Sequence, residues 1–347
     1  MAYNEAVEDF RRIRRRTLPR RVPCVAISEE FDVQWHGKYT YEEFCQDGEK
    51  IYEVYRAAIE RFDYDWALVQ IDDCFEFEPI GVGVKGEGNI VRGTYRYLPV
   101  GREVLESIRR MDPYKDGRMP EKLKAIRKLK EHFGDTVLVV GSCAAPFSAI
   151  GLMWSIEESM MLMLTDAGLM QEAMQYWKEF YARYIRAQKE VGADAIWLGD
   201  CNAFSSMVSV PQYNEHIFGV TRELIQWCEK EIDIMIWLHN SEIRADHVRS
   251  HLPLGHSIES IGPDADIREI REATAGKIPI SGNIDPLKTL HRGTPEMIER
   301  EVERIMHICK TGGGYIFNSG ETIPGLTPEG NMLAMMETAK RLARYTE

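Results

Sequence analysis

Three side chains in the second half of the chain have the types and spacing of a metal-dependent active site. His239 ends the apolar run 234–239, Glu259 ends the run 257–259, and Glu321 follows the run 315–318. One imidazole and two carboxylates, with a fourth position open, form a donor set typical of catalytic zinc. Each also has a plainer role open to it: a histidine hydrogen-bonded at a strand end, or a glutamate paired with an arginine. Asp73 and Asp200 end the runs 66–73 and 195–200. They are candidates for a proton relay or substrate orientation, or for helix capping. Cys143 and Cys201 lie near run ends as well, where cysteine can ligate a metal or simply fill core space. Trp35, His36, Trp197 and Phe204 could wall an aromatic pocket, with Asn318 as a further substrate contact.

These residues belong to a series of eight short apolar runs: 22–29, 66–73, 137–143, 195–200, 234–239, 257–259, 278–283 and 315–318. Most of what separates them has helical periodicity. Eight strands alternating with helices close a parallel barrel, whose strands converge at their carboxyl ends on one active-site mouth. The expected fold is α/β, a single (β/α)8 TIM barrel domain over residues 1–347. Residues 1–20 read as an N-terminal helical extension. Residues 74–112 read as an insertion after the second strand, with glycines at 81, 83, 86 and 88 and a hairpin-like alternation over 90–100. Such an insertion would be a lid or a partner surface above the mouth.

Thr40 with Glu43 predicts a capping box for a long helix to Phe62. Residues 152–170 are apolar but interrupted by Glu157, Glu158 and Asp166, so they read as buried helix and not as a membrane span. Gly168 is the expected break between helices over 156–166 and 169–191. Thr294-Pro295 and Thr327-Pro328 each predict a capped helix start.

Composition removes several function classes. A net charge of −12 argues against sequence-independent nucleic-acid binding, which needs basic surface to replace counterions. The seven cysteines are odd in number, with no CxxC pair, a pattern of reduced thiols. With no apolar signal core, a cytoplasmic protein is expected. The glycines at 81, 83 and 86 spell GxGxxG but open no helix, and GxxxxGK[ST], GxSxG and HExxH do not occur. The sequence leaves the oligomeric state open, a homodimer among the choices.

Several segments, taken in order, resemble the uroporphyrinogen decarboxylase superfamily over nearly the whole chain. Residues 76–81 (EFEPIG) are similar to its E-x-E-x-x-G segment, 141–151 (GSCAAPFSAIG) to its G-x-x-x-x-P-F turn, and 192–200 to its G-A-D-x-I-x-x-x-D strand. Residues 282–285 (GNID), 293–296 (GTPE) and 312–316 (GGGYI) complete the signature. The arginine-rich N-terminal motif of the true decarboxylases is not reproduced. The resemblance therefore implies the zinc-dependent, cobalamin-linked methyltransferase branch, whose H-x-C metal motif corresponds here to His239-Asn240-Ser241, with Glu321 at the position of a later cysteine.

Exchanging thiolates for carboxylates would leave zinc a harder Lewis acid, suited to oxygen. The implied activity is methyl transfer from a methoxylated aromatic (vanillate- or guaiacol-like) to the cobalt(I) corrinoid of a separate protein, since no D-x-H-x-x-G cobalamin motif occurs. A different small donor such as methanol or methylamine, another acceptor, a metal-free decarboxylase and a non-enzymatic ligand binder are the alternatives.

Overall fold

The computed structural model describes residues 5–345. Seven parallel strands form one curled sheet in sequential order. They are β1 (Trp66–Leu68), β4 (Leu138–Ala144), β5 (Ala195–Gly199), β6 (Met235–Glu242), β7 (Ile258–Ile261), β8 (Ile280–Ile284) and β9 (Tyr315–Ser319). Between β1 and β4 lies an antiparallel hairpin of β2 (Gly83–Lys85) and β3 (Gly93–Arg96). Seven of the eight apolar runs thus contain strands of the α/β barrel.

The first run, 22–29, is bound differently. It touches the sheet through a parallel bridge between Cys24 and Phe317. Val25 N–H donates to the Phe317 carbonyl and Phe317 N–H to Pro23, both at 2.9 Å, while Asp65 N–H donates to the Cys24 carbonyl at 3.0 Å. Pro23 has no N–H to offer a ladder. The segment therefore joins the two sheet edges without becoming a regular strand, and its end, from Glu29, already belongs to the helix Glu29–His36. Asp65 reinforces the closure by accepting from Cys24 N–H at 2.7 Å, from Arg21 at 2.5 Å and from Lys340 at 2.7 Å.

Inside the barrel, Trp66, Trp197 and Trp237 fill the floor, with ring centroids 4.8 to 5.6 Å apart. Trp197 and Trp237 stand side by side in register. Of the predicted extension, residues 1–4 lie outside the described residues. The helix itself is shorter than expected, Ala6–Arg14, and its Phe10 packs on Trp237 at 6.1 Å, covering the amino-terminal end of the barrel.

Several local expectations change. The Thr40–Glu43 capping box exists but starts only the short helix Tyr41–Phe44; Asp47 caps the long one, Gly48–Phe62. The apolar segment 152–170 is broken twice, at Ser155 and at Asp166, where the Asp166 side chain caps Leu169. Gly168 lies inside the helix Ala167–Glu190, because a local carboxylate cap starts a helix more effectively than a glycine ends one. Thr294 caps Met297 as predicted, whereas the last helix, Glu329–Ala343, has no side-chain cap. All seven cysteines are free. Among the described residues no single helix is long and apolar enough to cross a membrane; the pair Pro146–Trp154 and Ile156–Thr165 passes only jointly, with a 113° bend.

Candidate active site

The strand ends surround a cavity of about 180 Å³. β1 leaves the sheet early, so Gln70, Asp72, Asp73, Phe75 and Glu76 line one wall as irregular chain. Ser142, Cys143 and Ala144 come from β4, and Gly199 from β5, with Cys201 just beyond it. His239 comes from β6, and Glu321 follows β9.

His239 sits one step above Trp237 on the inward face of β6, and its ring stacks on Trp197 with centroids 4.4 Å apart. Its Nδ1 is 3.0 Å from Ser260 Oγ, the residue facing it in register on β7. Its Nε2 points to Glu321 Oε1 at 3.3 Å. Ser241 Oγ also donates to Glu321. This reach depends on a bulge: the β6–β7 register shifts between His239 and Glu242, and Ser241 adopts φ 55°. Bulges of this kind re-aim side chains beside active sites. Gly262 makes room, because a Cβ there would stand 2.2 Å from the Ser241 carbonyl oxygen.

One donor atom each from Cys201, His239 and Glu321 lie within 4.8 Å of one another, a spacing that could hold a metal ion. Nitrogen, sulfur and oxygen together with an open position suit zinc. The serine contact on the second imidazole nitrogen is the orienting bond that histidine ligands usually receive. Burial opposes protonation of His239, yet the neighbouring Cys201 sulfur and the Glu321 carboxylate raise it to about 10. Burial also opposes ionisation of Glu321, but His239 holds it below its ordinary value. A bound cation would take the place of that proton.

Of the expected triad, then, His239 and Glu321 meet and Glu259 does not join them. Strand side chains alternate. Ser260 faces His239, so Glu259 turns outward to the helix Ala245–His251. There its oxygens pair with His251 Nδ1 at 2.9 Å and His256 Nε2 at 2.5 Å. Burial opposes its charge, but the two histidines pull Glu259 down to about 2. The same alternation turns Asp200 away from the cavity between Gly199 and Cys201; it accepts from Ser148 Oγ at 2.9 Å, and burial pushes it up to about 6. Asp73 does face the cavity. Burial, Asp72 and Glu321 together push it up.

Among the aromatic candidates only Trp197 lines the cavity. Trp35 packs on Phe62 at 5.0 Å, His36 stacks with Tyr39, and Phe204 and Asn318 stand outside the lining. The β2–β3 hairpin contributes no lining residue. It rests on the segment beginning at Tyr41, whose N–H donates to Asn89, while Glu42 N–H donates to the Gly88 carbonyl.

A sequence model of the uroporphyrinogen decarboxylase (URO-D) family matches residues 6–342. The chain belongs to this family. Among URO-D relatives, methylcobamide:CoM methyltransferase MtbA of Methanosarcina acetivorans is 24% identical over 344 residues, 95% of this chain and 96% of that protein. Uroporphyrinogen decarboxylase of Geobacter sulfurreducens is 25% identical over 319 residues, 89% of each. A methyltransferase from Methanosarcina mazei superposes with a TM-score of 0.86 at 17% identity, covering 97% of this chain and 98% of that one, which fixes the shared fold.

The reading from sequence weighed Cys201 as a metal ligand or a core residue but left it out of the triad, because no local signal separates a ligand thiol from a core one. Glu76 lay in the family-like segment 76–81 but without an assigned role. It is 2% exposed, and its Oε2 accepts from Tyr181 at 2.8 Å and Ala144 N–H at 3.3 Å.

Proposed function

We propose that the chain catalyses methyl transfer from a methoxylated aromatic to the cobalt(I) of a separate corrinoid protein, with zinc held by Cys201, His239 and Glu321. The chain is a methyltransferase, and its likeness to MtbA extends along 95% of its length. The observation that carries the metal part is the convergence of three different donor types from β5, β6 and β9 at one strand-end cavity.

Zinc bound there would supply a Lewis acid that polarises oxygen. The chain's own residues orient and enclose. Trp197 holds the His239 ring by stacking, Ser260 orients it through Nδ1, and Phe75, Leu152 and Ile27 present apolar surface to a ring. In the overall reaction the methyl–oxygen bond breaks, a methyl–cobalt bond forms, and the aromatic leaves as a phenolate. The cavity volume suits one small ring and is far below that of a tetrapyrrole.

The lining contains four acids and no arginine or lysine. That composition disfavours a decarboxylase acting on a polycarboxylate. The sulfur of Cys201 supports a second reading, methyl transfer from a methylcorrinoid to a thiol. A sulfonated thiol such as coenzyme M would nevertheless find no arginine or lysine among the described lining residues. Purified protein should contain about one zinc per chain, lost in His239→Ala, and should convert cobalt(I) corrinoid to methyl-cobalt with a methoxyarene, as read by absorbance. Trace zinc unaffected by His239→Ala, or methyl-cobalt from no methoxyarene, overturns the proposal.

A further inference from the structure

The strongest feature the metal site leaves unexplained is a free carboxylate oxygen in the cavity lining. Glu76 Oε2 is fully engaged, but Oε1 is buried without a hydrogen-bond partner in a residue that lines the cavity. A buried acceptor left in this state costs stability unless a ligand completes it. Its neighbouring cation does not complete it: Lys122 Nζ is spent on the Ser142 carbonyl at 2.7 Å and Ser142 Oγ at 2.5 Å.

The other acids define what can approach. Asp72 is neutralised by Arg118, at 2.5 and 3.0 Å, and Glu321 is paired with His239. Asp73 lines the cavity and accepts a hydrogen bond from Gln70 at 3.3 Å. Asp73 and Glu76 thus line the ligand space with no arginine or lysine beside them among the described lining residues. A carboxylated ligand would lie within a few ångströms of both.

We infer that Glu76 is a substrate-binding residue whose Oε1 accepts the hydroxyl of an uncharged, hydroxylated methoxyarene, and that the cavity rejects the carboxylated counterpart. This rests on the methyl-transfer reading above and narrows its donor to the guaiacol class, away from the vanillate class. The hydroxyl donates to Oε1, and the adjacent methoxy group is left free for Cys201, His239 and Glu321, which line the same cavity. Burial pushes the Glu76 carboxyl up, to about 7, with Lys122, Tyr181 and the Ala144 N–H resisting. At pH 8 it is therefore mostly the acceptor form.

Calorimetry at pH 8 on the intact protein, with no corrinoid, tests this with three probes: 2-methoxyphenol, methoxybenzene and 4-hydroxy-3-methoxybenzoate. The expected result is 2-methoxyphenol binding about tenfold tighter than methoxybenzene, which lacks the donor. It should also bind at least about tenfold tighter than the carboxylated probe. Glu76→Gln should shrink the preference against the carboxylate, and circular dichroism establishes that the variant is folded. Equal binding of the carboxylate by the unaltered protein, or binding of none of the three, overturns the inference without reference to any variant. So do preferences unchanged in folded Glu76→Gln.

Methyl-cobalt formation from the same probes separates the two proposals. If the binding order holds but no methyl-cobalt appears, the transfer reading fails and the binding site stands. If both hydroxylated probes methylate cobalt equally well, the transfer reading stands and the selectivity fails.

Discussion

At the scale of single residues, the contrast between Glu321 and Glu259 is the most informative. Both are glutamates on or just after strands of the same arc, β7 and β9 with β8 between them, yet one faces a cavity and the other a buried histidine pair. Glu321→Gln and Cys201→Ser should each weaken zinc binding at least about tenfold, measured by competition with a chelating dye, because each removes a donor from a three-donor set. Glu259→Gln should leave zinc stoichiometry unchanged while costing about 3 kcal/mol in denaturant unfolding, since His251 and His256 lose their buried partner.

The pH dependence of that second cost has a definite sign. Glu259 is depressed to about 2 in the fold, against about 4.3 when unfolded. Its contribution is full above the unfolded value and is lost as pH falls through about 2. Burial opposes the charge on His251, but Glu259 raises it overall. The histidine's contribution is therefore full below about 6.5 and lost as pH rises through its elevated value. The stability gap between the parent protein and Glu259→Gln should be widest near pH 5 to 6 and narrow on both sides.

At the scale of elements, the site depends on a defect in β6. A regular strand would carry Asn240 outward and Ser241 inward in step with β7. The two extra residues and the positive φ of Ser241 instead bring its hydroxyl to Glu321. Left-handed backbone at serine is unfavourable by about 1 kcal/mol, so the surroundings must enforce it. Gly262 is the main enforcer, through the space it leaves for the Ser241 carbonyl. Gly262→Ala should cost about 2 kcal/mol and lower zinc affinity together; thermal melts and metal titration measure the two effects. A variant with lowered stability but unaltered zinc affinity would show that the bulge does not set the site.

At the scale of the whole molecule, closure rather than strand count positions the mouth. The seven-stranded sheet has two edges, joined by residues 22–27 and by Asp65 with its three donors. Asp65 is 4% exposed and joins Cys24, Arg21 and Lys340, so Asp65→Ala removes one buried acceptor from all three. It should cost about 3 to 5 kcal/mol and lower the melting temperature while folded protein keeps its zinc. The three tryptophans below the cavity pack edge-on and tilted into a floor, and Trp197 in that floor holds His239 by ring stacking.

The rhythm of apolar runs and helical spacers was enough to determine the barrel, since alternation of buried strands with amphipathic helices has few compact solutions. It also placed His239, Glu321 and Asp73 at strand ends, where barrel chemistry occurs. What the chain alone left undecided was the direction in which each strand-end side chain points. That depends on one residue of register: Ser260 faces in and Glu259 out, Cys201 in and Asp200 out, with the β6 bulge resetting the count. Closure across nearly 300 residues, from Cys24 to Phe317, brings the two ends of the sheet together. Only then can Glu76 and the metal donors line one cavity, because proximity of that kind belongs to the fold and has no local trace in the sequence.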